Sequence, residues 1–345
     1  MYVHAIVEPD LCTSGPAAAL AEEVGFDGVW TTETAHDPFL PLAPVAQATT
    51  SILLGTAVAV AFPRSPTHLA MIASDLQRAS RGRFLLGMGS QVRAHIERRF
   101  SAEFDHPIAR MRELVDAVRS IWRCWEHGEP LAVAGRFYRI DLMPPVFSPP
   151  PHGFGDPPIF LSAVGTQMGE LAGEVADGVL VHGFSTVGYL RDVTLPAIAR
   201  GASRSGRDPR EVAIARPVFV VTGRDEKEIA ANARPVRARL GFYGSTPAYR
   251  PVIEHEGWAD LGADLRALVR AGRWDELGDP ISDEVLAELA IVAPLDGVAD
   301  AIVDRFSGVV DRLSFNVPYR SAPEEWAAIL SRIHDGSRRL EGQLR

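Results

Sequence analysis

The feature of the sequence that most constrains its fold is a regular alternation of apolar runs with amphipathic helical patterns. Eight runs have the length of strands. Several of them are apolar almost throughout, as expected when both faces of a parallel sheet are covered. The predicted strands are Tyr2–Val7, Gly28–Thr32, Ile52–Ala61, Arg83–Met88, Pro158–Ala163, Gly178–His182, Ala213–Thr222 and Asp311–Val317.

Helical patterns fill the intervals between these runs. The clearest extends from Ile108 to Trp125, where apolar residues recur three or four positions apart, and Gly128 follows it as a suitable C-terminal residue. A second helix is predicted over Pro66–Ala79, and a last one begins near Glu324.

Eight β/α repeats predict a closed (β/α)8 TIM barrel, an α/β fold. The alternative is an open doubly wound sheet, which needs a glycine-rich phosphate turn after an early strand. The first predicted strand ends at Glu8-Pro9-Asp10, without such a turn, so the sequence favours the barrel.

We interpret residues 1–345 as one domain with insertions at about 129–157 and 243–292. The first contains an RFYRI strand candidate within Gly135–Gly155, followed by several prolines, which predicts an extended excursion. The second contains helical patterns at Trp258–Ala271 and Ser282–Ile291. An insertion that begins near Asp225, directly after the seventh strand, would fold over the barrel mouth as a lid.

Charge and composition exclude several classes of partner. The net charge is −9, which argues against nucleic acid or an anionic membrane as the main partner. The longest apolar run, Ile52 to Pro63, is shorter than the ~20 residues that span a bilayer.

Cys12 and Cys124 match neither a zinc motif nor a disulfide framework. The opening MYVHAIVEPD lacks the pattern of a signal peptide, so we expect a cytoplasmic protein.

Active sites of (β/α)8 barrels lie at the C-terminal ends of the strands, so the residues at those ends are candidates by position. No HExxH or other metal-ligand spacing occurs among them, and no metal is predicted. The candidates are Glu8, Glu33, Thr34, His36, Phe62, Arg64, Ser90, Gln91, Ser162 to Thr166, His182, Thr222, Asn316 and Tyr319.

Four motifs, in this order along the chain, carry a family resemblance: GFDGVWTTETAHDPF, LLGTAVAVAFPRSPTHLA, ASDLQRASRGRFLLGMGSQ and FLSAVGTQMGELAGEVADGVLVHGF. Together they resemble the bacterial-luciferase-like monooxygenase superfamily of flavin and deazaflavin oxidoreductases. Within it, they are most similar to the actinobacterial group that uses coenzyme F420. The resemblance covers roughly Met1 to Thr222 and, more loosely, Asp311–Asn316.

The resemblance implies two contacts with a cofactor. It places a non-prolyl cis peptide at Ala57–Val58, against the central ring of the cofactor, where composition alone favours an ordinary buried strand. It also places the cofactor phosphate at the turn Ser162-Ala163-Val164-Gly165-Thr166, before a helix whose amides and dipole favour an anion. Val164 replaces the second glycine of the family there. From the residues alone, the segment equally fits a plain turn with Thr166 as the N-cap.

Three residues are candidates for catalysis. Many relatives have an acidic residue followed directly by histidine, whereas here Glu33 is followed by Thr34 and the histidine arrives as His36. Glu33 would orient His36 or bind the cofactor ring, but His36 equally fits a simple turn into the next helix. His182 ends the sixth strand and would face the mouth, in proton transfer or in a structural hydrogen bond.

A local basic cluster follows the fourth strand at Gln91, Arg93, His95, Arg98 and Arg99. It would hold the anionic tail of coenzyme F420, with Ser90, Gln91 and Arg64 as further contacts. The alternative is a solvated helix face, and Arg64 equally fits a cap of the following helix.

The resemblance therefore implies a coenzyme F420-dependent oxidoreductase that moves a hydride between the deazaflavin and a small organic substrate. Two alternatives remain open at this point: an FMN-dependent monooxygenase and a non-catalytic flavin-binding barrel. The resemblance also implies a homodimer, formed by helices beside the second and third strands.

Overall fold

The structure, a computed structural model, describes residues 1–319 and 323–343. Eight parallel strands form a closed ring in chain order, and the last strand pairs with the first, which confirms the predicted (β/α)8 barrel. The strands are β1 (Tyr2–Ile6), β2 (Gly28–Thr31), β3 (Leu53–Thr56), β4 (Phe84–Gly89), β5 (Ile159–Ala163), β6 (Gly178–Val181), β7 (Ala213–Val221) and β8 (Arg312–Asn316).

Eight helices alternate with these strands and cover the outside of the ring. The predicted helix over Pro66–Ala79 is confirmed, and the Ile108–Trp125 pattern lies inside α4, after which Gly128 adopts the expected left-handed conformation. The helices are α1 (Ser14–Val24), α2 (Leu42–Ala48), α3 (Pro66–Ala79), α4 (Pro107–His127), α5 (Thr166–Val175), α6 (Leu195–Arg204), α7 (Val298–Phe306) and α8 (Pro323–Gln343). Smaller helices are Arg93–Arg98 before α4 and Val187–Tyr189, which leads into α6 through the π-helical turn Leu190–Thr194.

Alternate residues of each strand point into the barrel and fill its centre. Trp30, Leu85, Phe160, Leu180 and Ala215 form one buried cluster there. Below them His4 stacks on Trp30, with the ring centroids 4.7 Å apart. Burial, reinforced by the nearby Arg312, holds the pKa of His4 well below its usual value. The lower barrel is therefore a packed core, and space for a ligand opens at its C-terminal mouth.

The predicted third strand is interrupted. The sequence predicts one strand over Ile52–Ala61, but β3 ends at Thr56 and a separate short strand, Ala59–Val60, pairs only with β4. Local pattern could not show this interruption, because every residue of the run suits a buried strand.

An insertion follows β7 directly and returns to the sheet. Its helices are Glu226–Gly244, Arg250–His255, Ala259–Arg270 and Asp283–Leu289, with a second apolar core of their own. The helical prediction for Ser282–Ile291 is wrong at its end, because the chain turns into a strand, Ala290–Val292, parallel to the end of β7. The tertiary pairing with β7 overrides the local preference for helix.

The excursion after α4 is mostly irregular. Only Arg139–Ile140 of the RFYRI candidate forms a strand, in a short antiparallel pair with Val133–Ala134. Across the described parts of the chain, every helix lacks the combination of length and apolar character needed to cross a membrane.

Gly87 of β4 tests how tightly the barrel interior is packed. An ideal Cβ there would overlap the carbonyl oxygen of Thr56, whose hydroxyl accepts from the amide of Gly87. Gly87→Ala should lower the free energy of unfolding by at least about 2 kcal/mol, because backbone atoms must move apart. Chemical denaturation of both proteins measures the change.

The matched control is Gly169→Ala in α5. A Cβ there meets Ala197 at an ordinary 3.5 Å. Alanine in a helix should raise stability by about 0.5–1 kcal/mol. Equal effects of the two substitutions would contradict the packing described for the barrel interior.

Candidate active site

A cavity of about 220 Å³ opens at the C-terminal mouth of the barrel. This is smaller than the ~300–1,000 Å³ of typical ligand pockets, so the cavity encloses only part of a large ligand. Its apolar wall includes Ile6, Trp30, Ala57, Val58 and Leu180. Its polar residues include Thr32, Ser162, His182, Tyr243, Ser314 and Asn316.

The peptide bond between Ala57 and Val58 is cis, as the family resemblance implies. Both residues line the cavity from the β3 side, where Gly89 of β4 lies so close that a Cβ there would be 2.9 Å from Val58. The wall is therefore built from small side chains and backbone, and it offers a close, flat approach to a planar ring.

Glu33 and Arg64 form an ion pair that holds this wall in place. One carboxylate oxygen of Glu33 accepts from the Val60 amide and from Arg64, both at 2.7 Å, and the Glu33 side chain is 5% exposed. Arg64 also donates to the Val60 carbonyl and to Asp37. Both predicted site residues thus brace the segment that follows the cis peptide, and neither lines the cavity. A catalytic role for Glu33 stays a prediction.

His36, Ser90 and Gln91 lie at the rim instead of in the cavity. His36 is exposed and does not line the cavity, so its catalytic role also stays a prediction. The Ser90 hydroxyl donates to the Gln91 carbonyl, and the Gln91 side chain accepts from the Val92 amide before the helix Arg93–Arg98.

The basic cluster after β4 is partly engaged within the protein. Arg93 pairs with Glu97, and Arg99 donates to the Thr34 carbonyl. The Arg98 side chain makes no hydrogen bond or ion pair with residues 1–319 or 323–343. The whole cluster is exposed to solvent.

The turn from Ser162 to Thr166 contributes an open helix N-terminus next to the cavity. Gly165, not Thr166, is the N-cap residue of α5, and no side chain caps the helix. A Cβ at Gly165 would meet nothing within 4 Å. The first amides of a ten-residue helix therefore face open space, which suits a phosphate despite Val164.

His182 is the one predicted catalytic residue that the structure brings into the cavity. Its Nδ1 accepts from the Phe184 amide at 3.0 Å. The ring stacks on Tyr249, with centroids 4.3 Å apart, and meets the edge of Tyr243 at 4.6 Å. Burial, with the nearby Arg216 adding to it, lowers the pKa of His182 to about 4. The imidazole is therefore neutral at pH 7 and fixed in orientation.

The barrel fold and the cis peptide at its mouth agree with the family that the sequence matches. The family model for luciferase-like monooxygenases matches residues 15–312. The chain belongs to the luciferase-like monooxygenase family.

Three relatives illustrate the range of this family. An uncharacterized protein of Mycobacterium tuberculosis is 46% identical over 88% of this chain and 89% of its own. The 5,10-methylenetetrahydromethanopterin reductase of Methanolobus tindarius is 34% identical over 81% and 82%. The solved coenzyme F420-dependent tetrahydromethanopterin reductase of Methanopyrus kandleri superposes with a TM-score of 0.77 at 20% identity, covering 96% and 97% of the two chains.

Sequence reasoning missed Arg216 in this luciferase-like barrel. Arg216 is 2% exposed and donates to the carbonyls of Gly183 and Ser185, just after His182. Burial, then the charge of Arg305, lowers the pKa of Arg216 to about 9. An arginine inside the otherwise apolar strand Ala213–Val221 was the available signal, because a buried charge needs a specific reason.

The bracing role of Glu33 can be tested with Glu33→Gln. The substitution weakens charge-assisted hydrogen bonds to Arg64 and to the Val60 amide, so the free energy of unfolding should fall by about 1.5–3 kcal/mol. Glu97→Gln, which breaks the exposed pair with Arg93, is the control and should leave stability nearly unchanged. Equal urea midpoints for Glu33→Gln and the unmodified protein would rule out the bracing role.

Proposed function

We propose that this luciferase-like protein is a coenzyme F420-dependent oxidoreductase that transfers a hydride between the deazaflavin and a small organic substrate. The main support for the proposal is the structure of the cavity at the barrel mouth. It combines the wall at the cis Ala57–Val58 peptide with the nearby open N-terminus of α5. Relatives named for coenzyme F420 or for methanopterin reduction support the choice of cofactor.

The residues present fit such a cofactor. Ala57 and Val58 would contact its ring system, and the amides after Ser162 through Thr166 would bind its phosphate. Ser90, Gln91 and the exposed arginines at the rim would meet an acidic tail. Arg64 would act indirectly, by bracing the wall with Glu33.

A bound deazaflavin would supply hydride chemistry at its central ring. The protein contributes orientation and exclusion of water. Tyr243 and Tyr249 of the insertion pack on His182, so the insertion covers this side of the mouth. Beside it, the Thr186 hydroxyl donates to Glu256 at 2.5 Å, which fastens the insertion to the loop after β6. His182 would contact the reacting group of the substrate.

The second candidate is an FMN-dependent monooxygenase, which the family's name favours. It would use the same wall and the same phosphate turn. The basic rim supports coenzyme F420 over FMN, since FMN has no acidic tail beyond its phosphate. The homodimer and the cytoplasmic location stay predictions from the sequence.

Titration of the apo-protein with coenzyme F420 and, separately, FMN tests the proposal through cofactor fluorescence. Coenzyme F420 should bind at least tenfold more tightly than FMN, because the rim adds contacts with the tail. Tighter binding of FMN would favour the monooxygenase. Binding of neither cofactor would overturn the proposed function.

Gly165→Asp tests the phosphate site without weakening α5. Aspartate is a favourable N-cap, so the fold should be retained or stabilised. Its carboxylate would occupy the amides and repel the phosphate, and we expect coenzyme F420 to bind at least tenfold more weakly. Gly165→Ala leaves the amides open and is the matched control. If both variants bind coenzyme F420 equally in the same titration, the phosphate lies elsewhere.

A further inference from the structure

The two nitrogen atoms of His182 have different roles. Nδ1 accepts from a backbone amide, so it carries no proton, and the neutral ring must hold its proton on Nε2. Within the described residues Nε2 makes no hydrogen bond, and it is not a buried unpartnered atom. An N–H donor is therefore available to a ligand in the cavity that His182 lines.

One peptide group connects His182 to Arg216. The amide that donates to His182 belongs to Phe184, and the carbonyl of the same peptide group, that of Gly183, accepts from Arg216 at 3.2 Å. Arg216 also donates to the Ser185 carbonyl at 2.6 Å. Hydrogen bonds in series polarise one another, so the guanidinium strengthens the amide as a donor.

The charge of Arg216 is not cancelled nearby. No carboxylate pairs with it in residues 1–319 or 323–343, and its Nε is buried without a partner. Side chains of a strand alternate between its two faces. In β7, Ala215 and Pro217 point into the barrel, whereas the Arg216 side chain points outward and packs on Phe306 of helix α7. Arg216 borders the cavity, but its guanidinium is buried and donates to the carbonyls of the loop behind His182.

Within the described chain, Arg216 is the only residue lining the cavity that is charged at pH 7. The other lining residues are apolar, or are polar but uncharged, as His182 is. A bound carboxylate or ammonium group would lose its hydration without an ion-pair partner, which is unfavourable. A neutral oxygen acceptor that gains negative charge during the reaction suits this environment.

We propose that His182 donates a hydrogen bond from Nε2 to the carbonyl oxygen of an uncharged substrate, and that Arg216 is a positioning residue acting through the Gly183–Phe184 peptide group. This inference rests on the proposed function and deepens it, because it assigns the substrate class. The substrate is an uncharged carbonyl compound, and the corresponding product is its alcohol.

A bound reduced deazaflavin would supply the hydride for the new C–H bond at the carbonyl carbon, and the π electron pair would move to oxygen. The Nε2–H group stabilises that oxyanion. Loss of this proton would leave an imidazolate, so the proton that completes the alcohol comes from water.

Acetophenone and α-methylstyrene provide a matched pair of probes, since they differ only in the replacement of the carbonyl oxygen by CH2. Their dissociation constants are measured by equilibrium dialysis, with oxidised coenzyme F420 and without it. His182→Asn keeps an acceptor for the Phe184 amide but removes the donor at Nε2. His182→Gln places an amide donor near the Nε2 position.

We expect the preference for acetophenone over α-methylstyrene to fall about tenfold in His182→Asn and to recover partly in His182→Gln. The carbonyl stretch of bound 13C-acetophenone should lie at lower frequency in the unmodified protein than in His182→Asn, with Arg216→Lys in between. Nitrogen-15 NMR of labelled histidine should show the proton on Nε2. A purely structural role for His182 would not move the carbonyl band.

Other results overturn the inference. These are an unchanged preference in His182→Asn, a proton found on Nδ1, no binding of acetophenone, or tighter binding of benzoate than of acetophenone. The cofactor titration is separate. If coenzyme F420 does not bind but the carbonyl preference depends on His182, the proposed function fails while the donor role of His182 stands.

Discussion

The pairing of β8 with β1 is the interaction on which the rest of the structure depends. Tyr2 lies beside Arg312 and His4 beside Ser314, and this register closes a ring of parallel hydrogen bonds. Closure removes both sheet edges and forces alternate side chains of all eight strands into one narrow interior. That interior is too small for more than a packed core, so a ligand must bind at the mouth, where the strands end.

The mouth has two walls of different character. On the β3 side, Ala57 and Val58 offer backbone and small side chains, while on the β6 side His182 lies among the rings of Tyr243 and Tyr249. β3 and β6 are three positions apart in the ring of eight strands, so the two walls are separate parts of the mouth. A planar cofactor against the first wall and a substrate against the second would meet in the cavity, which is the arrangement that hydride transfer requires.

Three charged residues stabilise the segments that build the site. Glu33 and Arg64 hold the segment after the cis peptide, and Arg216 holds the loop after His182. Such supporting hydrogen bonds fix the geometry of the groups that touch a ligand. The charges of this protein are therefore mostly kept away from the cavity, and its lining is nearly neutral. This suits chemistry in which charge develops only during the reaction.

The barrel could be predicted from the sequence, because eight β/α repeats with buried parallel strands leave few other ways to satisfy the backbone. The family resemblance also predicted the position of the cis peptide, and the place of His182 at the end of a strand predicted that it faces the mouth. Which of the candidates meet depends on tertiary packing. Glu33, His36 and His182 all follow strands, yet a side chain reaches the cavity only if its strand alternation and loop direct it inward. The strand Ala290–Val292 was hidden from local pattern, because it forms by pairing with β7. Arg216 stood out as a charge in an apolar strand, but its role depends on hydrogen bonds to a distant loop.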